Sequence, residues 1–232
     1  MKKILFVFII VSVVFPLMAQ NADYYYSRAG VYYDKGDLDN AIADYTKAIS
    51  LDPYNAYIWG DRGNAYHDKG NSALAIADYT KAIALTPTEA AFYSSRGSIY
   101  MAQGSADKAF ADFNKAVTLN PKEVDAWIAR ADAYNSTGDV DKAIADYSKA
   151  ISLQPDSLSL WLSRADAYAQ NNDPDKAIAD YTKAIGIDPG NPDVYNSRAA
   201  AYRAKGDFDK SITDLNKAIE LTSTVSSSGG KQ

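Results

Sequence analysis

The apolar residues of this chain fall into two alternating helical patterns. Tyr25, Ala29 and Tyr32 share one face at spacings of four and three, and Ala41, Ile42, Tyr45, Ala48 and Ile49 do the same a little further on. Both stretches read as amphipathic helices. Between them lies Gly36, a residue able to take the left-handed conformation that ends a helix. Gly70, Gly104, Gly138 and Gly206 hold the matching place later, and Asn172, the next-best residue for it, holds it once. An N-capping type follows each time: Asp37, Asn71, Ser105, Asp139, Asp173 and Asp207. Pro174, after Asp173, suits a first helical position. Each second helix is expected to stop before Pro53, Pro87, Pro121, Pro155 or Pro189. The pattern predicts a series of helix–turn–helix hairpins.

The series is periodic. AIADYTKAI at 41–49 returns letter for letter at 75–83 and 177–185, and in altered form at 109, 143 and 211, all on a grid of 34 residues. Counted from Ala22, six units fill 22–225, at 22–55, 56–89, 90–123, 124–157, 158–191 and 192–225. A lone hairpin cannot bury its apolar face and needs the next copy against it. Interior copies meet the same surroundings, which accounts for the same residues. In the last unit Ser211, Thr213 and Leu215 replace two alanines and an aromatic residue, and the closing proline is missing. That reads as a terminal unit turned toward water. The sequence STVSSSGGKQ follows, and residues 226–232 are expected to be a disordered tail.

Trp59, Trp127 and Trp161 stand at one place of the grid, with tyrosines in the other units. Gly63 and Gly97 follow at a second place, with alanine elsewhere, and Tyr66, Tyr100 and Tyr134 at a third. Ala75, Tyr79, Ala82 and Pro87 complete the second unit. These residues resemble the tetratricopeptide repeat (TPR) over about nine-tenths of the chain. The resemblance implies an all-α fold, a right-handed α-solenoid of TPR hairpins. It also implies a concave groove, lined by the first helices, that holds an extended peptide or a helix. On that basis the groove positions are Tyr26, Tyr33, Tyr57, Asn64, His67, Met101, Ile128, Asp132, Leu162, Asp166, Asn196 and Arg203. Asp23, Asp34, Asp68, Ser94 and Asp125 lie on the same face. One branch of the family clamps acidic C-termini with lysine, arginine and asparagine, whereas here Arg203 is the only cation in the set. The partner is expected to be a neutral, apolar–polar or basic protein or peptide, not an acidic C-terminal tail.

Two charged columns depart from the usual family pattern. Arg28, Arg62, Arg96, Arg130, Arg164 and Arg198 stand where leucine is common, and Asp44, Asp78, Asp112, Asp146, Asp180 and Asp214 recur on the second helices. A residue serving one substrate appears once, while one serving stacking appears in every unit. The columns are therefore expected to form a structural Arg–Asp ladder, within hairpins or across to the next unit, rather than an anion site. Lys47, Lys81, Lys115, Lys149, Lys183 and Lys217 are expected on a solvated outer face with i,i+3 support. His67, the single histidine, has no cysteine or second histidine near it.

Charge and composition narrow the function. MKK, the apolar run ILFVFIIVSVVF and then PLMAQ have the layout of a secretory signal, with cleavage expected after Ala19. Loss of Lys2 and Lys3 takes the formal charge from −5 to −7, which disfavours nucleic acid as partner. The alternative is an uncleaved N-terminal membrane anchor, and membrane contact is expected only in that case. The absence of cysteine excludes disulfides, thiolate metal sites and a lipid-modified cysteine. No phosphate loop, zinc spacing or serine elbow is present, so no catalytic, metal or cofactor site is expected and the chain does not read as an enzyme. The favoured function is an exported scaffold, periplasmic or secreted, that binds protein through its groove. The alternatives are a self-assembling structural protein and a glycan-binding envelope module.

Overall fold

The computed structural model describes residues 21–228, with side chains through residue 223. The expected signal segment lies outside the described residues. Helix α1 runs over residues 21–34. It is followed by α2 (Leu38–Leu51), α3 (Ala56–Asp68), α4 (Ser72–Leu85), α5 (Ala90–Ala102), α6 (Ala106–Leu119), α7 (Val124–Thr137), α8 (Val140–Leu153), α9 (Leu158–Gln170), α10 (Pro174–Ile187), α11 (Pro192–Lys205) and α12 (Phe208–Ser228). There is no strand among the described residues. The fold is an α-solenoid of helical hairpins, in which each odd-numbered helix pairs with the even-numbered helix after it. The chain divides after Pro121 into two compact units, one holding α1–α6 and the other α7–α12.

Turn chemistry acts as the sequence predicts. The α3–α4 turn closes with Asn71 N–H donating to Tyr66 O at 2.7 Å and Gly70 N–H donating to His67 O at 2.8 Å. That pattern requires a left-handed residue, and Gly70 has φ 82°. In the α9–α10 turn Asn172 fills the place at φ 57°. Asp37, Asn71 and Asp173 accept a backbone N–H from the third residue after them and so cap α2, α4 and α10. The second helices end two residues before Pro53, Pro87, Pro121, Pro155 and Pro189, with Asp52, Thr86, Asn120, Gln154 and Asp188 as their C-caps.

Small residues bring the two helices of a hairpin together, and large ones fill the junction with the next. In the first unit Ala29, Ala41 and Ala48 are fully buried around Tyr45, and Ile49 packs with Ile58 and Ala65 of α3. In the second unit Ala165, Ala177 and Ala184 surround Tyr181, which meets Val194 and Ala201 of α11. Gly97 is needed for close approach. A Cβ built on it would stand 2.9 Å from the Phe113 ring.

Helix α12 runs on through Ser228, into the first residues of the expected tail, with no proline or glycine before Gly229; residues 229–232 lie outside the described residues. One expectation for the C-terminal end is corrected. Ser211 does not face water. It is buried between α11 and α12, and its hydroxyl donates to Ala199 O at 2.9 Å. The side of α12 that does face water carries Phe208, Ile212, Leu215 and Ile219.

Candidate functional site

The charged columns meet inside each hairpin. Every arginine makes a two-point contact: Nε and Nη2 of Arg28, Arg62, Arg96, Arg130, Arg164 and Arg198 donate to Oδ2 and Oδ1 of Asp44, Asp78, Asp112, Asp146, Asp180 and Asp214 at 2.6–2.9 Å. All six aspartates are buried. The third guanidinium nitrogen reaches the preceding hairpin. Nη1 donates to Thr46 Oγ1 from Arg62, Thr80 from Arg96, Ser148 from Arg164 and Thr182 from Arg198, at 2.9–3.0 Å. Each of these arginines therefore ties its own hairpin shut and staples it to the one before. The hydrogen bond to the aspartate raises the pKa of Arg96, Arg130, Arg164 and Arg198 further still, so the charge is permanent.

The aromatic columns complete this arrangement. The Arg62 guanidinium lies over the Trp59 ring at 5.0 Å and the Tyr66 ring at 5.6 Å, and Arg164 lies over Trp161 and Tyr168 at 5.0 and 5.8 Å. Trp59 Nε1 donates to Pro53 O and Trp161 Nε1 to Pro155 O, while the hydroxyls of Tyr93 and Tyr195 donate to Pro87 O and Pro189 O. The tryptophan place thus holds the proline turn that opens its hairpin. A column of guanidiniums saturated in this way has little left to offer a soluble anion.

The lysines after the aspartates lie on the solvated side as expected, but most of the i,i+3 support falls on other lysines. The former are exposed, apart from half-buried Lys217, and the i,i+3 ion pairs are Asp139–Lys142, Asp173–Lys176, Asp207–Lys210 and Lys217–Glu220. The buried aspartates are already held by arginine, and their carboxylates point into the hairpin.

The groove candidates sort into engaged and free. Tyr26 donates to Asp61 Oδ2 at 2.6 Å, Tyr33 to Asp68, and Tyr57 to Glu89 Oε2 at 2.8 Å, each bond reaching into the next hairpin. Asn64 accepts from the hydroxyl of Tyr79, Asp132 from that of Tyr147, and Asp166 from that of Tyr181, each within one hairpin. Burial first, and then the neighbouring carboxylate, pushes the hydroxyls of Tyr26, Tyr33, Tyr147 and Tyr181 far above their usual pKa. Met101, Ile128 and Leu162 are half-buried, and His67, Asn196 and Arg203 are exposed.

Asp61 and Glu89 belong with these residues and were not singled out in the sequence. Asp61 is half-buried and accepts from Tyr26 and Asn64, yet burial still raises its pKa. Its place in the other units holds serine or alanine, an irregularity that could have marked it. Among the described residues no lysine or arginine pairs with Asp34, Asp61 or Asp68. In the second unit a cleft of about 230 Å³ opens beside Ala169, Tyr181, Ser197, Ala200 and Ala204.

Antiparallel hairpins, tied to the hairpin before by Arg62 and Arg96 in one unit and by Arg164 and Arg198 in the other, define a helical-repeat protein. The chain belongs to the tetratricopeptide repeat family: sequence models of that repeat match residues 30–70, 63–104, 90–123, 111–157, 128–192 and 162–225. Proteins of this family generally bind peptides or other proteins. No curated protein sequence matches the chain. Among solved structures it is similar to YrrB, described as a TPR protein with an unusual peptide-binding site (TM-score 0.66, 21% identity, covering 76% of this chain and 91% of that one). It is also similar to pilF of Pseudomonas aeruginosa (TM-score 0.73, 18% identity, 85% and 90%). A third likeness is to the C-terminal part of a TPR repeat-containing protein from Cytophaga hutchinsonii (TM-score 0.75, 20% identity, 86% and 80%). At these identities the likeness is one of fold.

Proposed function

We propose that the chain is an exported, non-catalytic scaffold of six repeat units that binds a neutral to basic protein segment on the faces of its first helices. One observation carries this reading. On α1 and α3 the carboxylates Asp34, Asp61 and Asp68 stand among the rings of Tyr26, Tyr33, Tyr45 and Tyr79, with no cation among the described residues paired to them. A lysine or arginine side chain finds both a countercharge and aromatic surface there. An acidic terminus would meet repulsion. YrrB's described peptide-binding site lends support from a similar fold. Export rests on the layout of residues 1–20, and no helix among the described residues is long and apolar enough to cross a membrane.

The test is a fluorescence-anisotropy panel of basic, neutral and acidic peptides against the purified chain. Basic peptides are expected to bind, more weakly at high salt, and Asp61→Asn with Asp68→Asn is expected to weaken them while the melting curve stays intact. Equal binding of acidic peptides sinks the charge argument. Intact-mass measurement of protein recovered from cells tests export, with Gln20 expected as the first residue.

A further inference from the structure

The face by which a hairpin receives its successor remains open on α12. Inside the chain that face lies on the second helix. Tyr45 and Ile49 of α2 pack with Ile58 and Ala65 of α3, Tyr79 of α4 with Phe92 and Ile99 of α5, and Tyr181 of α10 with Val194 and Ala201 of α11. Tyr45 and Ile49 are consequently 3% and 7% exposed. The same places on α12 are Leu215 and Ile219, at 43% and 65%, and Phe208 and Ile212 beside them are at 63% and 57%. These four residues recur at spacings of four, three and four, which makes one apolar stripe along one side of a helix.

The complementary face is open at the other end. Ile58 and Ala65, which cover α2, are both 0% exposed, whereas their counterparts one repeat earlier, Tyr24 and Val31 on α1, are 58% and 52% exposed. Polar partners are missing in the same register. Lys69, at the end of α3, pairs with Asp39 on α2, and Lys205, at the end of α11, pairs with Asp175 on α10. The counterparts at the two open ends are Lys35 after α1 and Asp209 on α12, and both are exposed. Among the described residues no hairpin precedes Arg28 for it to staple. Its Nη1 turns to Tyr24 instead, and its side chain is 42% exposed against at most 16% for the other five. The α12 residue that corresponds to Thr46, the partner of Arg62, is Asn216, whose amide oxygen can accept.

We propose that the α12 stripe of one copy docks on the α1 face of a second copy, repeating between chains the junction found within them. Phe208, Ile212, Leu215 and Ile219 cover Tyr24 and Val31, Lys35 pairs with Asp209 across the contact, and Arg28 reaches Asn216. The occupant is a second copy because one chain carries both halves of the junction, apolar and charged, in the register the repeat dictates. The contact is heterologous, so it either closes into a ring or runs on as a filament. A junction of this kind belongs with interfaces below about 1,200 Å², and assembly is expected to depend on concentration.

Sedimentation velocity of the protein purified from its own cells, over a roughly hundredfold concentration range, is expected to show the mean mass rising to about twice that of one chain or beyond. Ile212→Glu and Val31→Glu should each abolish the rise, and mixing the two should restore one good junction and stop at dimers. Lys35→Glu and Asp209→Lys should each weaken assembly, and the chain carrying both should recover it, which a merely structural role would not produce. All four sites are exposed, and unchanged circular-dichroism melts check that the variants fold. A concentration-independent monomer overturns the proposal. So does retained assembly by Val31→Glu, which would mean that α12 covers itself. A photo-crosslinker at position 212 that captures residues 1–20 or a different protein in cells, and not α1 of a second copy, overturns it as well.

Discussion

Replacing Asp112 by alanine tests whether the ladder holds the hairpins or decorates them. Arg96 Nε and Nη2 each donate to the Asp112 carboxylate at 2.8 Å, and the carboxylate is buried. The substitution removes two charge-assisted bonds and leaves a guanidinium wedged near the Tyr93 and Tyr100 rings at 6.0 and 5.8 Å. Breaking a fully buried pair costs roughly 3–5 kcal/mol. Arg96 keeps its bond to Thr80 and is 16% exposed, so water reaches part of the orphaned charge, and the lower end, about 3 kcal/mol, is expected. Lys115, three residues on, is exposed and should cost no more than about 0.5 kcal/mol on the same replacement. Urea unfolding followed at 222 nm reads both, and the slope shows whether the variants still unfold as one unit. The double variant Arg96→Met with Asp112→Leu should recover most of the loss, because an apolar pair avoids the desolvation of two ions. Equal destabilisation by Asp112→Ala and Lys115→Ala would refute the reasoning.

Glycine replacements should split by site. Gly97→Ala brings a Cβ within 2.9 Å of the Phe113 ring and should lower stability by about 1–3 kcal/mol, whereas Gly30→Ala, with nothing within 4 Å, should raise it by about 0.5–1 kcal/mol, both read by thermal melts. Asn172→Gly, at φ 57°, should stabilise the α9–α10 turn by a few tenths of a kcal/mol, visible as a higher urea midpoint. Burial pushes the hydroxyls of Tyr45 and Tyr79 up to about 12, while the unfolded chain ionises near its ordinary value of 10.0. The stability these groups confer is complete below pH 10 and is lost as pH rises toward 12, since the unfolded state sheds its protons first. Absorbance at 295 nm should therefore show exposed tyrosines titrating first and the buried ones only at the upper end or with unfolding.

Much of the fold is legible in the sequence because the determinants of a hairpin are local. Gly70 and Asn172 terminate helices by their own conformational freedom, Asp37 and Asp173 cap by a bond three residues long, and the apolar spacing of α2 marks its buried side. The repeat then carries each hairpin's solution to the next, and the Arg and Asp columns announce a shared structural task. What joins across the stack is not local. That Arg62 holds Asp78 with two nitrogens and Thr46 with the third, or that Tyr26 donates to Asp61, depends on how one hairpin lies on another. The ends show the same division. Polar letters in the last unit read as a surface for water, but helix geometry turned Ser211 inward and left Ile212, Leu215 and Ile219 outside. Sequence by itself determines which residues repeat; only the tertiary structure decides which of their faces remain uncovered, because covering depends on how one hairpin lies against another.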